Sequence, residues 1–147
     1  MITKSKKQKK LPNTIQLKHK HIVEFISQFK IAIKRKQIYF KFFPNPTINQ
    51  LVKLLTHYGI CTACVTQTED MWFKIYIKYD SKGLPVFNKI IIPTKGIDRI
   101  SIKVNDLKQF KLFHPYVLMF LYTHQGILEA NDAIKKNLGG QLLLIII

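Results

Sequence analysis

The chain has 147 residues, 24 of them basic and eight acidic, which gives a formal net charge of +16. A compact protein with this charge repels itself, so a polyanionic partner is expected, with nucleic acid first and an anionic membrane surface second. Its apolar runs fall short of the roughly 20 residues that span a bilayer, and two cysteines do not make a disulfide framework. The composition argues against a membrane-spanning protein and a disulfide-rich secreted one.

The charge is concentrated near the start of the chain. Residues 1–41 hold twelve basic residues against one acid, Glu24. In the whole chain, every basic residue except Arg35 and Arg99 is lysine. Isoleucine, phenylalanine and asparagine are also abundant, whereas alanine is scarce. This is the composition expected of an AT-rich genome, and it indicates either an organelle genome or an unusually AT-rich nucleus.

A basic flexible tail is expected over residues 1–14, followed by an amphipathic helix over about 18–32. That helix is predicted from apolar residues at helical spacing, namely Ile22, Phe25, Ile26, Phe29 and Ile33. A strand follows at 38–43.

A second helix is bounded by clear start and stop signals. Asn45 is a suitable N-cap, Pro46 suits the first helical position, and Gly59 is placed to end the helix. Residues 60–68 then predict a strand, and the alternation of apolar and polar residues over 73–79 predicts a half-buried one.

The second half of the chain is predicted to be mostly β. Strands are expected at 86–92 and 97–104, then a short helix capped by Asn105 that Pro115 prevents from continuing. A strand at 117–122, a helical turn at 129–135 and a last strand at 142–147 complete the order.

These elements predict an α+β fold of two small packed domains. Residues 15–82 form an N-terminal α-β-α-β-β domain, and residues 83–147 form a C-terminal domain that is mostly β with short helices. The boundary is expected in the turn after residue 80, where turn-forming residues cluster.

Catalytic and metal sites are not expected. Cys61 and Cys64 are spaced for zinc or redox chemistry, but structural zinc usually requires four ligands, and residues three apart in a strand face opposite sides. We interpret them as small core or surface thiols. Glu129 and Asp132 are interpreted as salt-bridge partners of Lys135 or Lys136 rather than as an acid pair. No phosphate loop or hydrolase motif is present, so we expect no enzyme, no cofactor and no small-molecule substrate.

The segment from 123 to 140 is the richest in functional signals, and it reads T-H-Q-G-I-L-E-A-N-D-A-I-K-K-N-L-G-G. Gly126, Gly139 and Gly140 allow positive φ or a close approach to another surface. Polar donors and two adjacent lysines flanked by buried strands are suited to RNA, because donors read bases and 2′-hydroxyls while lysines hold phosphates.

This order of residues resembles the C-terminal signature of the ribosomal protein S8 family of the small ribosomal subunit. The resemblance rests on the threonine before Gln-Gly, the alanine before Lys-Lys-Asn and the Gly-Gly that enters the last strand. It implies two packed domains, binding to the central domain of small-subunit ribosomal RNA mainly through the C-terminal domain, and neighbouring small-subunit proteins as further partners.

The resemblance implies an RNA-binding set in the C-terminal domain. Its members are Thr123, His124, Gln125, Gly126, Lys135, Lys136, Asn137, Gly139 and Gly140. The family usually has serine at the positions of Tyr122 and His124, so base-specific contacts differ here. His124 could stack on a base or touch only water.

Further basic residues extend the expected RNA interface. The family's arginine-rich run in the first helix is reduced to Lys30, so its contacts are expected to pass to Lys34, Arg35, Lys36 and the N-terminal tail. Lys95 lies in a loop that resembles another RNA-facing turn, although an ordinary hairpin turn explains it equally well.

The sequence therefore predicts a structural, rRNA-binding component of the small ribosomal subunit that aids its assembly. The AT-rich composition places it in the mitochondrion, with the plastid as the alternative. The other functional hypothesis is a peripheral membrane or organelle assembly protein that holds anionic lipid through its basic first third.

Overall fold

A computed structural model describes residues 13–66, 71–95 and 98–147, and the side chains of residues 20–65, 71–93 and 100–147. The helices in these ranges are α1 (Asn13–Lys34), α2 (Pro46–His57), α3 (Val104–Phe113) and α4 (Ala130–Lys135). The strands are β1 (Tyr39–Phe42), β2 (Cys61–Thr66), β3 (Phe73–Ile77), β4 (Ile90–Ile91), β5 (Thr94–Lys95), β6 (Asp98–Arg99), β7 (Ser101–Ile102), β8 (Leu118–Thr123), β9 (Gly126–Glu129) and β10 (Gly140–Ile146). This order confirms the predicted α+β class.

Helix α2 begins and ends as its sequence signals predict. The side-chain oxygen of Asn45 accepts a hydrogen bond from the backbone N–H of Thr47 at 2.9 Å, and Pro46 is the first helical residue. Gly59 has a φ of 78°, and its N–H donates to the carbonyl of Thr56. Glycine stops the helix here because it enters the left-handed region without a Cβ penalty.

The N-terminal sheet has the strand order β1-β3-β2 and is antiparallel. Phe73, Ile75 and Ile77 of β3 are buried against the helices, as their alternation predicts, while Lys74 and Tyr76 lie on the other face. Helix α1 contributes a buried stripe to the same core and begins earlier than predicted, at Asn13.

The C-terminal sheet is organised around β10. The strand order is β4-β10-β8-β9, and β7 also pairs with β10. The prediction of long strands at 86–92 and 97–104 is wrong, since this region forms the short strands β4 to β7 instead. Pro93 lies two residues after the end of β4 and has no N–H to donate to a ladder, so β4 cannot continue through it.

Helix α3 also differs from its predicted start. Asn105 is not its N-cap, because Lys103 occupies that position without a side-chain hydrogen bond and the helix begins at Val104.

The apolar run of β8 is explained by burial on both faces of the strand. Phe120 lies in a large cluster shared with the N-terminal half, including Phe25 and Ile75. Met119 and Leu121 lie in a smaller cluster with residues of α3 and α4. The large cluster crosses position 82, so the two halves pack on each other, and their division into domains stays a prediction. Among the described helices, none has the length and apolarity to cross a bilayer.

Candidate nucleic-acid interface

A tight hairpin between β8 and β9 presents His124 and Gln125 at its tip. Both side chains are exposed. Thr123 pairs with Gly126 across the hairpin, and Gly126 has a φ of 100°, a backbone conformation that favours glycine. The predicted conformational role of Gly126 is therefore confirmed.

Thr123 has a structural role in this hairpin. Its side chain is only 3% exposed. Its hydroxyl donates to the carbonyl of Gly126 at 2.9 Å and accepts from the backbone N–H of Gln125 at 3.2 Å. The expectation that Thr123 contacts RNA directly does not fit this geometry, because the hydroxyl is buried and already bonded to the turn that it holds.

Lys135 and Lys136 stand at the exposed C-terminal end of α4. Asn137 follows with a φ of 56°, and the N–H groups of Asn137 and Leu138 donate to the carbonyls of Ile134 and Ala133. This is a Schellman ending, in which asparagine tolerates the left-handed conformation better than most residues. The prediction that Asn137 holds this turn is confirmed, and the turn fixes the direction in which the lysine pair leaves the helix.

The glycine pair serves close packing within the protein. A Cβ on Gly139 would lie 2.7 Å from the carbonyl oxygen of Ile102, and a Cβ on Gly140 would lie 2.5 Å from the carbonyl oxygen of Tyr122. Neither glycine has positive φ. Both are needed because the chain enters β10 pressed between the backbones of β7 and β8. Their expected RNA contact stays a prediction.

Strand register brings the exposed residues of this region to one end of the sheet. Gln141 pairs with Tyr122 at the end of β8, directly before the hairpin tip, while α4 runs back from Glu129 towards Gly140. The C-terminal end of α4 and the tip of the β8–β9 hairpin therefore lie at the same end of the sheet. We call this exposed group the C-terminal patch. Its members are His124, Gln125, Lys135, Lys136 and Asn137.

The C-terminal patch is cationic. Neither Lys135 nor Lys136 makes an ion pair with any residue that the structure describes, and Glu129, expected to neutralise one of them, is fully buried. The predicted salt bridge from Glu129 to this pair is wrong, because Glu129 bonds to Lys111 at 2.8 Å and caps α4 by accepting from the N–H of Asn131. Within the described residues, the charges of both lysines are therefore not neutralised by a carboxylate.

Asp132, the other acid on α4, faces the N-terminal half. The hydroxyl of Tyr58 donates to its carboxylate over 3.4 Å. Burial, followed by the charges of Glu129 and Asp132, raises the pKa of Tyr58 to about 12. Tyr58 also packs edge-on against Phe120, with ring centroids 5.9 Å apart. This contact fixes α4, and hence the lysine pair, against helix α2.

Lys111 is the structural residue that sequence reasoning missed. It lies one helical turn after Leu107, on the buried side of α3, and also donates to the carbonyl of Val117. A lysine on an apolar stripe was the available signal, but its partner Glu129 is 18 positions away and no local pattern identifies it.

A second basic group lies at the end of α1. Lys30, Lys34, Arg35 and Lys36 are all exposed, and we call them the N-terminal basic cluster. Lys36 has a φ of 54° and ends the helix in the left-handed conformation that glycine usually occupies.

The two basic groups lie towards opposite ends of β10. Phe29, one position before the N-terminal basic cluster begins, packs on Phe87, and the next residue, Asn88, donates its N–H to the carbonyl of Ile147. The C-terminal patch lies instead beside Gly140. A strand of this length spans roughly 20 Å, so the two groups are separated by about the length of β10.

Lys95 is described only by its backbone. It pairs with Asp98 in the short β5–β6 hairpin, and its side chain lies outside the described part of the structure. Its expected RNA contact stays a prediction.

Cys61 and Cys64 share one face of β2, contrary to the sequence expectation. A β-bulge between Cys61 and Ala63 shifts the register, so Cys61 pairs with Ile77 and Cys64 with Ile75. An extra residue reverses the alternation. Both thiols are free, and burial raises both pKa values, that of Cys61 to about 12. Within the described residues, no group of three metal-binding side chains forms around them.

Comparison with known proteins identifies relatives along nearly the whole chain. Residues 7–147 match the family described as Ribosomal protein S8. Two similar proteins are the small ribosomal subunit proteins uS8 of Chlamydia felis, 24% identical over 85% of this chain and 94% of the relative, and of Campylobacter jejuni, 26% identical over 85% and 95%. The resemblance seen in residues 123–140 therefore extends over both halves of the fold.

Proposed function

Because the chain belongs to the ribosomal protein S8 family, we propose that it binds the central domain of small-subunit ribosomal RNA through the C-terminal patch and aids assembly of that domain. Family membership itself makes the chain a structural component of the small ribosomal subunit and not an enzyme. It also implies ribosomal RNA and other ribosomal proteins as partners.

The observation that carries this proposal is the convergence of the C-terminal patch. Two exposed lysines, an exposed histidine and two amides meet at one sheet edge although they come from separate turns of the chain. Lysines suit phosphate oxygens, and amides and imidazole suit base edges and 2′-hydroxyls. The buried hydroxyl of Thr123 and the packed glycines hold these groups in place.

The N-terminal basic cluster supplies the second half of the proposed mechanism. Because it lies about one strand length from the C-terminal patch, each group contacts a different RNA segment. The packed halves, proposed as domains 15–82 and 83–147, then hold the two segments in a fixed relation. The basic tail over 1–14 and Lys95 add further phosphate contacts in this proposal.

Binding of a transcript of the central domain to the full chain tests the C-terminal patch. The variant Lys135→Ala/Lys136→Ala should bind more weakly, and the slope of log affinity against log salt should fall by roughly two units, since each phosphate contact contributes about 0.9. The matched control is Lys82→Ala/Lys108→Ala, which removes the same charge from exposed positions outside the patch. Equal slopes in the two variants would remove the lysine pair from the interface.

The proposed location is the mitochondrial ribosome, with the plastid as the alternative, and this rests on the AT-rich composition. Fractionation of organelles followed by sedimentation tests it. The protein should run with the small subunit of the mitochondrial ribosome and leave it after ribonuclease treatment or in high salt. Recovery with lipid instead would favour the peripheral membrane hypothesis.

A further inference from the structure

The outward face of the N-terminal sheet carries a second set of aromatic and basic side chains. The inward face packs against the core through Phe40, Phe73 and Ile75. On the outward face, β1 contributes Tyr39 and Lys41, and β3 contributes Lys74 and Tyr76. We call these four residues the sheet platform.

The aromatic rings of the sheet platform are arranged as a pair. Tyr39 and Tyr76 are directly opposite in the ladder, and their ring centroids lie 5.6 Å apart. Nζ of Lys74 lies 4.1 Å from the ring centroid of Tyr39 and 5.9 Å from that of Tyr76. The tyrosines are thus held by cross-strand pairing, and a cation is fixed beside both rings.

The residues of this face that the structure describes add further positive charge. Lys41 lies directly opposite Lys74, and exposed Lys78 follows the end of β3. None of the residues of β1, β2 and β3 is acidic. The lysines of this face are complementary in charge to the phosphates of a polyanion.

We propose that the sheet platform binds a single-stranded segment of RNA, with bases stacked on Tyr39 and Tyr76 and phosphates held by the lysines. An antiparallel sheet with exposed aromatic side chains can stack unpaired bases, whereas a duplex keeps its base faces covered. A protein partner fits less well, because the cores of protein interfaces are depleted in charge and in lysine. The site is separate from the C-terminal patch, so it goes beyond the proposed function.

Fluorescence anisotropy of a labelled oligouridylate of about twelve nucleotides tests this proposal on the full chain, at about 0.15 M ionic strength. The variant Tyr39→Thr/Tyr76→Thr removes both rings and keeps β-forming residues. Its affinity should fall at least about tenfold, since each stacked base contributes strongly to binding. The matched variant Tyr39→Phe/Tyr76→Phe keeps the rings and should retain the affinity.

Trp72, two positions before Lys74 of the sheet platform, gives a second readout. It is the only tryptophan of the chain, is 44% exposed and immediately precedes β3. Its fluorescence should be quenched when the oligouridylate binds, and a duplex of equal length should quench it less. Thermal unfolding of each variant establishes that the fold persists.

Three results would overturn the proposal. One is equal oligouridylate affinity of the threonine variant and the unchanged protein, and another is a Trp72 signal that does not distinguish single strand from duplex. The third is poorer incorporation of the threonine variant into small subunits with unchanged oligouridylate binding, which would assign the face to a protein neighbour. The variant Lys135→Ala/Lys136→Ala separates this site from the C-terminal patch, since it should keep the quenching of Trp72 while losing affinity for the central-domain transcript.

Discussion

Lys111 and Glu129 form an ion pair inside the C-terminal half, with Nζ of Lys111 2.8 Å from Oε1 of Glu129 and side chains 7% and 0% exposed. The pair joins α3 to the N-terminus of α4. Since α4 carries Lys135 and Lys136 at its other end, the orientation of the C-terminal patch depends on this buried contact.

Removing the charge of only one partner of this ion pair should destabilise the protein. Glu129→Gln keeps the size of the side chain but leaves Lys111 buried without a counter-charge, so we expect the free energy of unfolding to fall by about 3–5 kcal/mol. The measurement is urea unfolding at neutral pH.

The double variant separates charge from packing. Lys111→Met/Glu129→Gln should recover a large part of that loss, because no uncompensated charge remains. Asp106→Asn, at an exposed acid on the same helix α3, should change stability by less than about 0.5 kcal/mol. A double variant less stable than Glu129→Gln would contradict this account.

The stability of the protein should fall with pH in the range where Tyr58 titrates. Burial and the nearby carboxylates raise the pKa of Tyr58 to about 12 from an ordinary value near 10. Between about pH 10 and 12 the unfolded chain releases this proton while the folded chain keeps it, so stability is lost as pH rises through that window and is unaffected below it.

Tyr58→Phe isolates this effect. The decline in unfolding free energy between about pH 10 and 12 should be shallower in the variant, and the difference in absorbance between the two proteins should show tyrosinate appearing at about pH 12. A difference midpoint near 10 would show that Tyr58 is not held by these neighbours.

Loss of the Thr123 hydroxyl should loosen the hairpin without changing charge. Thr123→Val keeps the shape but leaves the N–H of Gln125 and the carbonyl of Gly126 without their side-chain partner. We expect a loss of about 1–2 kcal/mol of stability and weaker binding of the central-domain transcript with an unchanged salt slope. Thr123→Ser keeps the hydroxyl and should retain more of the affinity. If valine and serine variants bind RNA equally, the hydroxyl has no role in presenting His124 and Gln125.

Glycine in place of Lys36 should stabilise the end of α1. Lys36 occupies the left-handed conformation at a φ of 54°, which costs most residues about 1–2 kcal/mol and glycine almost nothing. Lys36→Gly should therefore be more stable than Lys36→Ala by about 1 kcal/mol. The two variants lose the same charge, so equal thermal midpoints would contradict the assigned backbone strain. If both variants reduce the salt slope of RNA binding by the same amount, the lost charge of Lys36 contacts phosphate.

Local signals predicted the N-terminal half well. The limits of α2 follow from Asn45, Pro46 and Gly59, and the buried face of β3 follows from strict alternation. These features depend on residues within one turn or one strand. The assignment of Cys61 and Cys64 to opposite faces is wrong because β2 contains a bulge. The bulge is set by pairing with β3, and no residue pattern within β2 predicts it.

The sequence identified the segment that forms the C-terminal patch, but not which of its residues are exposed. The family resemblance drew attention to residues 123–140, but it could not separate exposed groups from supporting ones. Thr123 and Gly140 support the patch because β10 pairs with β8. The side chain of Glu129 is buried because it forms an ion pair with Lys111 of α3. Each of these facts depends on contacts between distant parts of the chain.

The central place of β10 has a consequence for the order of events during synthesis. Strands β4, β7 and β8 all pair with it, yet it is the last of the described strands to leave a translating ribosome. The first sheet uses only residues 39–77 and can form while the second still lacks its middle strand. The RNA contacts proposed for the end of the sheet beside Gly140 therefore require β10, and they can form only after this strand has left the ribosome.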